Sequence, residues 1–300
     1  MARKFSCIYT IQHTLADVPF GSLHRIRRNF DDKLFCAREL EYTDTCTSHY
    51  KLLKLDIDLL QKLKHNQIAR VLEVIHEEDA GVYYVVQEDA TDKYLLEMLQ
   101  AAKAGHTPAE EMIWGYIAQL AEVLSVLHNT SYQIDEEGSV PVVLVHGSLA
   151  TDIVHTDPRD LRIIKLQTLG VGREVALGWN PVDTRGSKSY IAPEIHKQVM
   201  DYSTSSTPAY PLLTPECDMW SLGALIYELC TGTPLVKQKT KDYPAILETI
   251  QRPLMLPRYG EALANLVNSL LDPNPVRRPS ASQVLAFPLV QEALRKLFAK

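Results

Sequence analysis

No stretch of this 300-residue chain approaches the ~18 consecutive apolar residues that cross a bilayer as a helix. A membrane-spanning role is therefore not expected. The first residues, MARKFSCIYTIQH, lack the apolar core of a secretory signal. Cysteine is scarce: five residues, Cys7, Cys36, Cys46, Cys217 and Cys230, are scattered without a CxxC pair. That spacing excludes a disulfide framework and a cysteine-based zinc site, and it predicts an intracellular protein, cytoplasmic or nuclear. A surplus of positive charge is missing too. Lysine and arginine number 31 against 37 acidic residues, for a net charge of −6, so the basic face needed for nucleic acid is not expected. No repeat, low-complexity tract or linker divides the sequence, which predicts one domain over residues 1–300.

What is present is ordinary globular material: 46% apolar and 23% charged residues. A chain of this length can bury roughly 75% of its unfolded surface, enough for a large core. Residues 8–42 alternate short apolar runs with polar breaks, as in FSCIYTI and KLFCAREL, which suits antiparallel strands. Over residues 48–64 the leucines Leu52, Leu55, Leu59, Leu60 and Leu63 recur at helical steps and predict an amphipathic helix. GVYYVVQE (81–88) is a β-branched and aromatic run that reads as a buried strand, closing an N-terminal sheet near Glu88. Beyond it the helical period dominates. Residues 109–129 form a long apolar-faced helix, 220–232 a helix apolar nearly all round, and Ser280 a plausible N-cap. PVVLVHGSL and DLRIIKLQTLG read as short strands beside a loop. YQIDEEGSV (132–140) and Asp201–Thr207 read as loop excursions, for which a solvated role outweighs a binding one.

Five short segments occur in order: LKHNQI (63–68), HGSL (146–149), IAPE (191–194), DMWSLG (218–223) and RRPSASQVL (277–285). Together they resemble a eukaryotic protein-kinase domain covering almost the whole chain. LLQKLKHNQI, GSKSYIAPE and PRYGEALANLVNSLLDPNP are most similar to the NIMA-related group. The resemblance implies an α+β, bilobal protein-kinase-like fold. A small β-rich N-lobe with one main helix would occupy residues 1–88, and a larger, mostly helical C-lobe residues 89–300.

Phosphoryl transfer depends on positioning and electrostatics, so each part of the family's machinery can be checked by residue type. The glycine-rich loop corresponds to Leu15–Leu23, where only Gly21 of three glycines survives, Pro19 removes a donor and Asp17 adds negative charge. The resemblance places Arg38 at the phosphate-binding lysine and Asp56 at its glutamate partner. It places Ser148 at the catalytic base, and Ile153 and Thr168 at the two metal ligands. A serine cannot accept a proton as a carboxylate does near neutral pH. Isoleucine has no ligand atom, and magnesium favours carboxylate oxygens. Asp152, beside Ile153, is a weak substitute. A nucleotide cleft, if kept, would involve Leu15, Gly21, Leu23, Cys36, Arg38, Val86, Glu88 and His155, with His155 making its floor polar. Gly147 replaces the arginine that usually receives an activation-loop phosphate, and Thr184, Ser187 and Ser189 are the hydroxyls another kinase would modify there.

The frame residues are retained. The resemblance pairs Glu194 with Arg278, assigns Asp218 to anchoring the loop backbone, and gives His146 a structural place. No catalytic residue and no metal site are therefore expected, and no cofactor is required. The leading expectation is an inactive pseudokinase that acts as a protein-interaction scaffold or allosteric regulator, its partners other proteins such as an active kinase or its substrates. An ATP-binding sensor without turnover and an unconventional Ser/Thr protein kinase stay open as alternatives.

Overall fold

The computed structural model describes residues 4–18, 21–43, 48–89, 95–132, 142–147, 149–151, 153–157, 160–166, 188–203, 213–236, 243–250 and 253–299. The chain divides into two compact units. One comprises Met1–Lys93, His155–Leu161 and Lys165–Leu169; the other comprises Tyr94–Val154, Arg162–Ile164 and Gly170–Lys300.

The first unit opens with a helical turn, α1 (Phe5–Ile8), that runs directly into β1 (Tyr9–Val18). There follow β2 (Gly21–Arg28), β3 (Leu34–Glu41), α2 (Ser48–Lys62), β4 (Val71–Glu77) and β5 (Val82–Gln87). The strands form one antiparallel sheet in the order β1-β2-β3-β5-β4. Strand alternation splits its side chains between two faces. On one face α2 lays Leu53 and Ile57 against Leu40, Tyr83 and Val85. The buried positions of α2 are Leu53, Asp56, Ile57, Leu59 and Leu60. They include Leu59 and Leu60 from the expected leucine set but also Leu53, which the leucine spacing passed over; the side chains of Leu52 and Leu55 lie outside the described residues. The other face is covered by the start of the chain. Phe5 and Tyr9 pack with Ile26, Ala37, Ile75 and Val86, and the Phe5 ring stacks on Tyr84 with centroids 4.0 Å apart. Nothing in the sequence pattern announced that cover.

The second unit is mostly helical: α3 (Leu95–Lys103), α4 (Glu110–His128), α5 (Pro193–Ser203), α6 (Pro215–Thr231), α7 (Tyr243–Ile250), α8 (Glu261–Leu270), α9 (Ala281–Leu285) and α10 (Pro288–Phe298). Helix α4 packs against α9 and α10, and α6 packs against α3, α4 and α8. Both central helices are buried along most of their length, and each large side chain so enclosed contributes roughly 1.5–3 kcal/mol. Helix α6 starts at Pro215, ahead of the apolar run that marks it in the sequence, because Pro at the first turn removes an amide with no helical partner anyway. Ser280 caps α9 in a reciprocal capping box with Gln283.

Two small sheets also occur among the described residues. Strands β6 (Ser131–Tyr132) and β7 (Val142–Val143) pair at the base of the acidic excursion, whose remainder lies outside the described residues. Strands β8 (Val154–Asp157) and β9 (Asp160–Leu166) form the second. Two expectations change here. Leu144–Gly147 is irregular backbone rather than the end of a strand, because the His146 and Gly147 amides are drawn off by a carboxylate described below. Asp201–Ser203 belong to the last turn of α5 rather than to a loop. No helix among the described residues is long and apolar enough to cross a membrane.

Candidate functional site

In the first unit, β3 places Cys36, Arg38 and Leu40 on the face that receives α2. Arg38 donates from Nη1 to Asp56 Oδ2 at 2.7 Å, with the two side chains only 3% and 7% exposed. The arginine is longer than a lysine and the aspartate shorter than a glutamate, so the pair closes with its length redistributed. Arg38 Nε is buried without a hydrogen-bond partner among the described residues.

Around this pair the positions expected to border a nucleotide are already engaged. Leu23 and Cys36 are buried and pack with half-buried Leu15. Strands β1 and β2 stay paired as far as Val18 and Gly21, with register shifts after Ile11 and Thr14. A Cβ on Gly21 would fall 1.8 Å from the Glu39 carbonyl oxygen. The surviving glycine thus serves the close approach of β2 to β3. Glu88 donates its N–H to Arg70 O, and its carboxylate accepts from Arg70 N and, at 2.9 Å, from Lys165 Nζ. Its neighbour Asp89 pairs with Arg25 at 3.3 Å. His155, on β8, is fully buried.

Val86 requires a correction. Its cross-strand partner is Ala37, and it packs with Phe5, Tyr9, Ile26 and Ile75 on the face opposite Cys36 and Arg38. Gln87 is the residue across from Cys36, so alternation puts Gln87 on the Cys36 face. The Gln87 amide is fully buried; Nε2 donates to Ala69 O at 3.1 Å, and Oε1 has no partner among the described residues.

In the second unit the loop frame is well determined. Asp218, at the start of α6, is fully buried. Its carboxylate accepts from the backbone N–H of His146 at 2.8 Å and of Gly147 at 2.7 Å, and lies 2.9 Å from His128 Nε2. Burial alone would raise its pKa, but the His128 hydrogen bond, the charges of His128 and His146 and the Gly147 amide hold it below the usual carboxylate range. Gly147 has φ +72°, a left-handed conformation that glycine adopts at little cost.

Downstream, Leu149 and Ala150 are buried and Ile153 is partly so. Ser148, Asp152 and Thr168 lie outside the described residues, as do Thr184 and Ser187. Ser189 is buried, which removes it from the accessible hydroxyls expected of that segment. Thr151 and Tyr190 hydroxyls are 2.9 Å apart, and the Tyr190 hydroxyl donates to Glu228, a contact the sequence did not signal.

Arg278 and Glu194 form a two-point fork, Nη1 to Oε1 at 2.6 Å and Nη2 to Oε2 at 2.7 Å. The guanidinium also donates to Asp272 O and Glu216 O and lies over the Trp220 ring. Cys217, beside this pair, has its thiol pushed up to about 12, first by burial and then by the Glu194 charge. Among the described residues no cluster of three or more histidine, cysteine or carboxylate side chains could hold a metal ion.

Comparison with known proteins agrees with this geometry. The family profile described as "Protein kinase domain" matches residues 9–290. The chain is 24% identical over 94% of its length to the probable serine/threonine-protein kinase nek2 of Dictyostelium discoideum, and 25% identical over 95% to the serine/threonine-protein kinase Nek2 of Homo sapiens. It is 23% identical over 94% to the G2-specific protein kinase nim-1 of Neurospora crassa. It spans 62%, 60% and 33% of those three proteins.

Proposed function

We propose, from the premise that this chain belongs to the protein kinase family and is NIMA-related in sequence, that it has lost phosphoryl transfer and serves as an intracellular protein-interaction scaffold or allosteric regulator. One observation carries the reading. Asp218 grips the N–H groups of His146 and Gly147, so the loop that bears the family's chemistry is anchored, yet the residues that follow are chemically wrong. Ile153 offers no ligand atom, and Ser148 and Thr168 are neutral hydroxyls where carboxylates would be needed. Loss of the base alone removes roughly 10²–10⁴-fold of rate.

The donor set does not fit an ATP–magnesium complex. Ile153 supplies no ligand atom, and Gly21 serves the β2–β3 approach rather than a glycine-rich loop. What survives is the set of contacts that hold surfaces in place, which is what a scaffold requires.

Purified chain would be incubated with labelled ATP and magnesium, alone and with a generic protein substrate, beside Ser148→Ala. Equal, background-level incorporation is expected; transfer above the Ser148→Ala control overturns the proposal. Thermal unfolding with ATP, with and without magnesium, addresses the sensor alternative. A ligand at 100 times its Kd would add about 2.7 kcal/mol, and no such shift is expected.

A further inference from the structure

We propose that Thr151, Tyr190 and Glu228 form a hydrogen-bonded latch that fixes the loop after His146 without nucleotide or metal, an inference that rests on the non-catalytic reading above. A phenol has one proton to give. Tyr190 gives it to Glu228, so the Tyr190 oxygen can only accept from the Thr151 hydroxyl, 2.9 Å away. The chain of donors therefore runs one way, from Thr151 to Tyr190 to the carboxylate. All three residues are buried, and Lys103 Nζ stands 3.9 Å from the other Glu228 oxygen.

Tyr190 is also held through its backbone, because Ser221 Oγ donates to Tyr190 O at 2.8 Å. Ser221 and Glu228 both belong to α6, as does Asp218. The loop is thus tied to one helix at two places: Asp218 holds the amides of His146 and Gly147, and Glu228, through Tyr190, holds Thr151. Ten residues of helix separate the two carboxylates, about 15 Å along the axis. Both anchors lie on one buried helix, so Gly147 and Thr151 are each held with no ligand present, as a scaffold surface requires.

Hydrogen exchange of backbone amides in the peptide covering residues 144–156 reads this directly in the full chain. Thr151→Val removes the donor at nearly constant volume, and Tyr190→Phe removes the relay. Each is expected to speed exchange of this peptide roughly tenfold, the size of one lost buried hydrogen bond. The double variant should match either single one, because both break the same chain, and Thr151→Ser should behave as the parent protein. Unchanged protection, additive effects, or Thr151→Ser exchanging as fast as Thr151→Val would each overturn the latch. Should Tyr190→Phe fail to fold, the valine and serine variants decide the matter. Phosphate transfer by the parent protein would sink the non-catalytic reading while the exchange data still judge the latch; unaltered exchange with no transfer would sink the latch alone.

Discussion

Among the described residues each unit has a buried arginine paired with a carboxylate, and the two pairs are built differently. Arg38 meets Asp56 through a single contact and leaves Nε buried without a partner among the described residues. Arg278 uses every nitrogen: both Nη atoms grip Glu194, Nη1 also reaches Glu216 O, and Nε reaches Asp272 O. Burying charge costs several kcal/mol per ion, recovered only when the remaining hydrogen-bonding capacity is filled. By that measure the Arg278 pair is a junction that the helical unit depends on. The Arg38 pair carries a similar desolvation cost with less of its hydrogen-bonding capacity filled. A chain that has lost its chemistry would show this asymmetry, with its reactive positions free to drift and its framework positions held.

The largest effect that could break the comparison is at Arg278. Arg278→Ala leaves Glu194 and two carbonyl oxygens stripped of their donors and is expected to cost about 3–5 kcal/mol in urea-induced unfolding. Arg278→Lys should recover only part, since an ammonium cannot reproduce the fork. Replacing both partners separates the two sites further. Arg38→Met with Asp56→Leu should be neutral or mildly stabilising, because an unfilled polar requirement leaves together with the charges. Glu194→Leu with Arg278→Met should stay destabilised, because Asp272 O and Glu216 O remain stripped. Equal outcomes at the two sites would end the distinction.

Acid gives a second contrast. Asp218 has a lowered pKa in the fold, so the stability it contributes is fully present above the ordinary carboxylate value of about 4 and is lost as pH falls through the folded value. Asp31, in the first unit, is likewise lowered, to about 2, chiefly by its hydrogen bond from Arg28, but it sits at the surface where solvent screens the interaction. Unfolding followed from pH 7 to pH 3 should therefore show a flattened acid limb for Asp218→Asn and an unaltered one for Asp31→Asn. A flattened limb for Asp31→Asn instead would place the acid-sensitive anchor in the wrong unit.

Most of the fold was legible because its signals are local. Apolar period gave α2, α4 and the strands, and the Ser280–Gln283 box is a four-residue pattern. The framework contacts, Glu194 with Arg278 and Asp218 with the loop amides, came through family resemblance, since nothing local pairs residues 84 or 72 positions apart. Where neither source applied, the reading failed. Val86 ends an unbroken apolar run and Gln87 follows it, and only the register with β3 decides which faces Cys36. The cover laid down by Phe5 and Tyr9 and the Thr151–Tyr190–Glu228 chain depend on tertiary placement, with no periodicity to betray them.

The smallest expected effect concerns Gly147, where the loop frame and the missing chemistry meet. Its φ of +72° is needed to turn its N–H toward Asp218 Oδ1 at 2.7 Å. A side chain in this conformation brings Cβ against the carbonyl oxygen, at a cost of roughly 1–2 kcal/mol. Gly147→Ala should therefore lower stability by about 1 kcal/mol without changing the acid limb, because the Asp218 carboxylate keeps all of its donors. Gly147→Asn should lose less, asparagine being the residue that tolerates this region best after glycine. A full loss equal to that of Arg278→Ala would mean that the loop itself is part of the framework. A cost confined to the strain of one residue leaves the framework in α6 and its forked pair, with the loop held as a passenger.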